Sequence, residues 1–195
     1  YSIQNMLKHI GAESVITSDV HVIERADKLI LPGVGKFDEG MGNLESAGLK
    51  TVIQAEAESG KPILGICLGM QLLGKSSEEG KKAGLGLVDF QTVRFNFEKN
   101  QSLKIPHMGW NSLNIREGGR LFDGVRQGEY VYFVHSYYLS ADNEMVVAAT
   151  TEYGVTIHAA VEVGNVYACQ FHPEKSSETG LKILKNFVEK TGCGN

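Results

Sequence analysis

The stretch that decides the fold is PILGICLGMQ, at positions 62–71. Residues 62–66 form a short, unbroken apolar run beside proline and glycine, which favours a buried strand covered on both faces. The pattern Gly65-x-Cys67-x-Gly69 then predicts a tight turn into a helix, an elbow that lifts a nucleophile clear of the sheet. The N-terminus of that helix favours the thiolate form of Cys67. The alternative is a buried structural cysteine in a tight connection.

Composition limits the classes of function. The chain has 195 residues, 42% hydrophobic content and a formal charge of -4. We expect one domain with a sizeable core and no nucleic-acid partner, because no basic stripe could follow a phosphate backbone. No apolar run approaches the ~18 to 20 residues that cross a bilayer, and no signal-peptide pattern is present, so we expect a cytoplasmic protein with no membrane partner. Three cysteines without a CxxC pair favour neither a disulfide framework nor a cysteine zinc site.

The order of predicted elements indicates an α/β domain. Short apolar runs alternate with helical patterns in the first half, which is typical of strand-helix-strand units on a parallel sheet. Helices are predicted at residues 3–10, 41–44, 49–58 and 178–190. Strands are predicted at 14–17, 28–31, 62–66, 87–90, 112–115, 130–134, 146–149, 158–163 and 166–171, with a hairpin turn at 162–165. Residues 1–195 are therefore predicted to form a single domain with a central mixed sheet.

A candidate base follows the last predicted strand, in the segment QFHPE at positions 170–174. A nucleophilic thiol needs a base, and the base needs an orienting group. Because Pro173 excludes a helical arrangement, His172 and Glu174 can project to the same side. Glu174 would then hold one imidazole nitrogen while the other nitrogen faces Cys67. The alternative is a surface histidine at a strand end beside an unrelated glutamate.

Three segments, in this order and at this separation, resemble the class I, triad-type glutamine amidotransferases. They are LPGVG at 31–35, GICLGMQ at 65–71 and QFHPEKS at 170–176. The resemblance covers nearly the whole chain. It implies a flavodoxin-like α/β fold, in which a central, mostly parallel mixed sheet is flanked by helices and joined by an additional antiparallel strand region.

Three further segments resemble one group within that class, the glutaminase subunits of imidazole glycerol phosphate synthase from histidine biosynthesis. They are PHMGWN at 106–111, YFVHSY at 132–137 and TTEY at 150–153. The resemblance implies a heterodimer in which a cyclase subunit receives ammonia through a protected channel. It also implies that Cys67 is the nucleophile, His172 the acid-base group and Glu174 its orienting group, in hydrolysis of L-glutamine through a thioester.

The same resemblance implies a set of glutamine-binding residues. Gln71, Glu79 and the backbone of His135, Ser136 and Tyr137 would hold the substrate, with Glu79 facing its ammonium group. Each has an alternative interpretation. Gln71 could cover the elbow helix, Glu79 lies in an acidic surface run, and the segment from His135 could be packing at a strand end.

Backbone groups on two segments are candidates for stabilising an oxyanion. The N–H of Leu68, directly after the nucleophile, would face the developing charge. Gly33 and Gly35 free the peptides around Val34 to rotate, so an N–H could turn toward the oxyanion when the enzyme is switched on, as the resemblance implies. The alternative is an ordinary glycine turn after a strand.

A partner interface is predicted around the only tryptophan. Met108, Trp110 and Asn111 surround Gly109 in an expected loop, where Trp110 suits an interface anchor better than a core position. Neither common glycine-rich phosphate motif is present, which agrees with a phosphorylated substrate bound by the cyclase subunit. No cofactor and no metal are expected.

The chain departs from the family at its start. The family opens with a short apolar strand and a glycine-rich turn before the helix that begins here at residue 1, and the tail at 191–195 resembles that turn. A rearranged chain and a meaningless tail are both open. Two other functions also remain: a redox or stress sensor of the same fold class with an elbow cysteine, and a catalytically silent binding subunit.

Overall fold

The computed structural model describes residues 2–97 and 103–192. Its helices are α1 (Ser2–His9), α2 (Val20–Arg25), α3 (Phe37–Ser46), α4 (Leu49–Glu58), α5 (Leu68–Leu73) and α6 (Ser177–Lys190). Its strands are β1 (Leu29–Gly33), β2 (Ile63–Cys67), β3 (Ser76–Ser77), β4 (Gln91–Arg94), β5 (His107–Ser112), β6 (Asn114–Ile115), β7 (Tyr130–His135), β8 (Tyr137–Ser140), β9 (Val147–Glu152), β10 (Thr156–Val163) and β11 (Val166–Cys169). The last three residues of the predicted tail, 193–195, lie outside the described part.

The main sheet is mixed, as predicted. Its strands follow the order β1-β2-β11-β10-β8-β4-β3, and β9 pairs with both β10 and β6. The pairs that frame the elbow, β1 with β2 and β2 with β11, are parallel, whereas β10 pairs antiparallel with its neighbours. Strands β5 and β7 form a separate antiparallel sheet. The predicted α/β fold class is therefore confirmed.

The core lies on both faces of the main sheet because alternate residues of β2 and β11 point to opposite sides. Ile63 and Ala168 pack in one buried cluster with α3, α4 and α5. Leu64 and Tyr167 pack in the other with α6 and the inner face of β7. The elbow strand β2 is buried at every position, as its apolar sequence predicts. No helix in the described ranges is long and apolar enough to cross a bilayer.

Two predicted strands are wrong. Residues 14–17 form no regular element, and Val15 and Ile16 are 66% and 70% exposed, because no described strand offers this segment a backbone ladder. Residues 87–90 are a loop whose apolar side chains fill the core, with Val88 and Phe90 almost fully buried. The run is apolar because its side chains are buried, not because it forms a strand. Strand β4 begins only at Gln91.

The predicted loop around Trp110 is also wrong, because residues 107–112 form strand β5, paired along its length with β7. The predicted strand 112–115 is divided at Leu113, whose N–H bonds to the carbonyl of Glu129 rather than to a strand partner. The hairpin at 162–165 is confirmed, with Gly164 at a φ of 58° in the turn between β10 and β11.

Candidate active site

Cys67 lies at the strand-to-helix junction between β2 and α5, with a φ of 55° that non-glycine residues rarely adopt. Two glycines make this turn possible. A Cβ on Gly69 would come within 1.7 Å of the carbonyl oxygen of Leu31, and a Cβ on Gly65 would come within 2.9 Å of the backbone of Gly69. Because strand β1 and the elbow approach each other at backbone distance, the turn accepts no side chain there. The predicted tight turn from strand to helix at Cys67 is present.

His172 and Glu174 flank Pro173 at the end of β11, where a 3-10 turn replaces the strand. The imidazole Nδ1 of His172 lies 2.8 Å from Oε1 of Glu174. The segment is held in place because the N–H of His172 donates to the carbonyl of Tyr132 and its carbonyl accepts from the hydroxyl of Ser176. The predicted pairing of these two side chains is therefore present.

The electrostatics of the pair favour a charged imidazole. Burial by itself would lower the pKa of His172, but the Cys67 sulfur and the Glu174 carboxylate outweigh burial and raise this pKa from 6.5 to about 9. Burial raises the pKa of Glu174, yet its hydrogen bond with His172 leaves this pKa below the ordinary value. No described group completes a hydrogen bond with Nε2 of His172. That nitrogen remains able to exchange a proton at the thiol.

Two buried glutamines extend from the sulfur of Cys67. Nε2 of Gln170 lies 3.7 Å from Sγ, and Oε1 of Gln170 accepts a 3.2 Å hydrogen bond from Nε2 of Gln71. Gln71 also donates to the carbonyl of Tyr137, at 3.4 Å. The predicted glutamine-binding residue Gln71 thus lies on α5, connected to the nucleophile through a side chain to which the sequence argument gave no role.

The segment His135, Ser136 and Tyr137 joins β7 to β8 beside this pair. The carbonyl of Tyr137 accepts from Nδ1 of His135 at 2.9 Å, and the carbonyl of Ser136 accepts from the N–H of Phe95. Nε2 of His135 lies 2.9 Å from Nδ1 of His107. Burial lowers the pKa of His135 to about 3 and that of His107 to about 4, so both rings are neutral near pH 7.

Glu79 contacts the start of helix α3. Its Oε2 accepts a 2.8 Å hydrogen bond from the N–H of Phe37, at the start of α3. That helix begins two residues after the loop of Gly33, Val34 and Gly35. Gly33 pairs with Cys67 across β1 and β2, Val34 is 81% exposed, and Gly35 has a φ of 106°. The acidic side chain and the candidate oxyanion loop therefore lie at the same edge of the sheet.

The outer face of the β5–β7 sheet is apolar and exposed. Met108 is 61%, Trp110 51% and Tyr130 59% exposed, whereas the opposite face carries the buried residues His107, Val131, Phe133 and His135. The third predicted interface residue, Asn111, is half-buried, and its side chain donates to the carbonyl of Glu152. The exposed positions predicted for Met108 and Trp110 are present, on a strand rather than a loop.

Sequence reasoning missed Gln170 and His107 as contributors to this site, although both fell inside quoted motifs. Gln170 is fully buried, and a polar residue inside a buried strand end was the available signal. His107 stacks against Tyr153 at a ring-centroid distance of 4.0 Å, in a pairing that sequence spacing could not indicate. Among the described side chains, no group of three or more His, Cys, Asp or Glu residues is arranged to hold a metal ion.

Comparison with known proteins identifies the class. A model of the family described as Glutamine amidotransferase class-I matches residues 1–191. A crystal structure of a glutamine amidotransferase superimposes with a TM-score of 0.74 at 20% identity, covering 96% of this chain and 91% of that chain. The PurLQS structure from Thermotoga maritima gives a TM-score of 0.67 at 23% identity, covering 97% and 91%. These two likenesses support the fold, and the family match shows that the chain belongs to the class-I glutamine amidotransferases.

Curated relatives narrow the class to one group. The imidazole glycerol phosphate synthase subunit HisH of Caldanaerobacter subterraneus subsp. tengcongensis is 48% identical over 192 residues, 98% of this chain and 93% of the relative. The HisH subunit of Methanosarcina acetivorans is 50% identical over 191 residues, covering 96% and 92%. Within its class, the chain belongs with the HisH glutaminase subunits of imidazole glycerol phosphate synthase. This result confirms the resemblance and does not favour the redox-sensing alternative.

Proposed function

We propose that Cys67, His172 and Glu174 hydrolyse the side-chain amide of glutamine. The observation that carries the proposal is the arrangement of His172: Glu174 holds Nδ1 at 2.8 Å, and Nε2 remains without a hydrogen bond beside the Cys67 sulfur. A histidine whose pKa is raised to about 9 is protonated near pH 7, which suits an ion pair with a thiolate. The family that the chain belongs to acts on glutamine.

The chemistry proceeds in two halves. The thiolate attacks the carboxamide carbon, and the C–N bond breaks as Nε2–H of His172 gives its proton to the departing nitrogen, which leaves ammonia and a thioester. Neutral His172 then takes a proton from water, whose oxygen attacks the thioester carbon. The C–S bond breaks, glutamate leaves, and the thiolate and the imidazolium are restored. Glu174 keeps the imidazole in one orientation in both halves.

The oxyanion of each tetrahedral intermediate needs two donors near the elbow. Leu68 is the first residue of α5, so its N–H has no partner within the helix and faces the region of the nucleophile. The second donor is a peptide N–H of the Gly33–Gly35 loop. The pairing of Gly33 with Cys67 and the strong exposure of Val34 support this assignment, because an exposed peptide can rotate without breaking core packing.

Glutamine is proposed to bind between Gln71, Glu79 and the segment from His135 to Tyr137. Glu79 would attract the ammonium group, and its position beside α3 and the oxyanion loop supports this role. Gln71 lies on the nucleophile's own helix and contacts the carbonyl of Tyr137, which joins two parts of the proposed pocket. The carbonyls of Ser136 and Tyr137 already accept protein hydrogen bonds, so we expect the substrate to use other groups of this segment.

The released ammonia is proposed to pass to a separate cyclase subunit, in a heterodimer that serves histidine biosynthesis. Free ammonia is mostly protonated near neutral pH and would be lost to water. The exposed face of Met108 and Trp110 is the proposed docking surface, and it lies on the sheet whose strand β7 borders Cys67. We also propose that residues 1–195 form one amidotransferase domain, supported by the family match over residues 1–191. We propose that this domain acts in the cytoplasm.

Glutamate release, measured with the cyclase subunit present, tests the triad. We expect Cys67→Ala to lower the rate by roughly ten-thousandfold, the loss typical of removing a triad residue. Cys169→Ala is the matched control, because Cys169 is also buried but occupies the middle of the core rather than the elbow. Unchanged glutamate release in Cys67→Ala would contradict the proposal, and so would an equal loss in both variants.

A further inference from the structure

Gln170 is the one polar side chain at the nucleophile that the proposed mechanism does not use. It is 0% exposed, and its backbone N–H donates to the carbonyl of Ala159 at 2.8 Å. The side-chain amide lies between Cys67, 3.7 Å from its sulfur, and Gln71, at 3.2 Å. A buried amide without hydrogen-bond partners is unfavourable, so the nitrogen and the oxygen of the Gln170 side chain should each have a partner. Cys67 and Gln71 are the two neighbours that can provide them.

The chemistry of the neighbours fixes which end of the Gln170 amide faces the sulfur. The carbonyl of Tyr137 can only accept, so the side-chain nitrogen of Gln71 must be the atom that faces it. The same nitrogen of Gln71 contacts Gln170, which must therefore present its oxygen. The amide nitrogen of Gln170 is left facing Cys67. This order follows from donors and acceptors and does not depend on distinguishing nitrogen from oxygen by position.

The carbonyl of Tyr137, which fixes this order of donors and acceptors, also accepts a second hydrogen bond. Nδ1 of His135 donates to the carbonyl of Tyr137 at 2.9 Å. Because that nitrogen carries the hydrogen, Nε2 of the neutral ring accepts from Nδ1 of His107, 2.9 Å away. Tyr137 therefore receives two buried donors, and every hydrogen bond between His107 and Gln170 has only one group that can donate. The Gln170 N–H is the terminal donor of this series, aimed at the sulfur.

We infer that Gln170 is a further catalytic residue, whose side-chain N–H donates to the Cys67 sulfur and stabilises the thiolate; this inference rests on the proposed glutaminase function. An N–H donor favours the sulfur anion over the neutral thiol. Unlike His172, Gln170 has no proton to exchange. It therefore stabilises the sulfur whenever the sulfur is an anion: before the thiolate attacks the carboxamide, and again when the thioester C–S bond breaks and the thiolate departs.

The pH dependence of Cys67 alkylation by iodoacetamide, located by mass spectrometry, tests this role in the full chain. We expect Gln170→Met to move the midpoint of the profile upward by roughly one pH unit, about the tenfold effect of a hydrogen bond to a charged group. The titratable groups near the sulfur are His172, with its partner Glu174, and Cys169 in the adjacent core. All three remain in the variant, as does the carbonyl of Val134, 4.0 Å from Sγ. Gln54→Met is the matched control, because Gln54 is a half-buried amide on α4 that donates to the carbonyl of Leu85 rather than to Cys67.

If Gln170 only filled space or held Gln71 in place, the alkylation midpoint of Gln170→Met would equal that of the wild type and of the Gln54→Met control. That result would overturn the inference. A second measurement uses the unmodified sequence, in case the variant does not fold. In protein labelled with [15N]glutamine, one buried side-chain amide should shift with the same midpoint as alkylation, and the shift should vanish in Cys67→Ala. The absence of any such amide would also overturn it.

The two proposals fail separately. If wild-type protein with the cyclase subunit releases no glutamate while the midpoint moves in Gln170→Met, the glutaminase assignment fails and the sulfur contact stands. If glutamate is released and the midpoint does not move, the assignment stands and Gln170 has only a packing role. If both hold, we expect Gln170→Met to lower kcat more than it raises KM, because the lost contact is to the nucleophile rather than to the substrate.

Discussion

The elbow, which carries Cys67, and the β5–β7 sheet, which borders it, differ in how much of their surface is buried. In the elbow, strand β2 is buried on both faces, and the backbone of β1 approaches α5 so closely that Gly69 has no room for a Cβ. In the β5–β7 sheet one face is buried, and the other exposes Met108 and Trp110. The difference teaches that this chain fixes its proposed nucleophile through its own packing and leaves the neighbouring surface exposed.

The histidines of the two regions differ in the same way. His172, at the elbow, has a charged partner and a pKa raised to about 9, whereas burial without a counter-charge lowers the pKa of His107 and His135 behind the β5–β7 sheet. One region therefore holds a proton for chemistry. The other uses neutral imidazoles as hydrogen-bonding groups that position a backbone carbonyl.

The largest expected effect on stability is at the elbow. Gly69→Ala places a methyl group against the carbonyl of Leu31, and we expect the free energy of unfolding to fall by about 3 to 5 kcal/mol. Gly42→Ala is the control, because in helix α3 the nearest atom to a new Cβ is the end of Lys82, 3.7 Å away. It should raise stability by up to about 1 kcal/mol. Urea unfolding of both variants measures the change in the free energy of unfolding. Equal changes in the two variants would contradict the claim that the elbow has no room for a side chain.

A smaller effect is expected on the exposed face. Trp110→Ala should weaken binding of the cyclase subunit by roughly 30-fold, about 2 kcal/mol, because a large aromatic side chain is lost from the docking surface. The stability of the isolated chain should change by less than about 0.5 kcal/mol. Ile16→Ala removes a residue that is even more exposed, at 70%, but lies outside the β5–β7 sheet. Titration calorimetry compares them, and equal weakening would contradict a docking surface at Trp110.

The third expected effect is on the pH dependence of stability. His107 and His135 take up protons below about pH 6.5 when unfolded, but only near pH 4 and 3 when folded, so their stabilisation is present above pH 6.5 and is lost as the pH falls toward 4. The slope is at most about 1.4 kcal/mol per pH unit for each group. His107→Gln removes one of them, and we expect a shallower decline between pH 6.5 and 4.5 in urea unfolding.

The alkaline pH range provides the internal control, because a different histidine governs stability there. His172 has a raised pKa, so its stabilisation is complete below pH 6.5 and is lost as the pH rises through about 9. His107→Gln should leave that alkaline decline unchanged. His158, whose pKa burial also lowers, remains in the variant and keeps part of the acid slope. An acid slope as steep as that of wild type would show that His107 does not titrate as described.

Prediction from sequence succeeded where a local rule applied. The elbow glycines, the helix at 49–58 and the hairpin at 162–165 each follow from backbone conformation or periodicity within a few residues. It failed at 14–17 and 87–90, because an apolar run does not reveal whether a neighbouring strand exists to complete a ladder. The strand that carries Trp110 was missed for the same reason, since Trp110 pairs with Tyr132, 22 positions further along the chain.

By itself, the sequence determined the family, because the elbow segment and the segment QFHPE at positions 170–174 are motifs that can be identified without coordinates. Only the tertiary structure decided how the groups cooperate. The contacts of Gln170 with Cys67, and of His107 with His135, join residues that are 103 and 28 positions apart. Such contacts depend on which strands lie side by side, and hydrogen bonding inside a buried site depends on every neighbour at once.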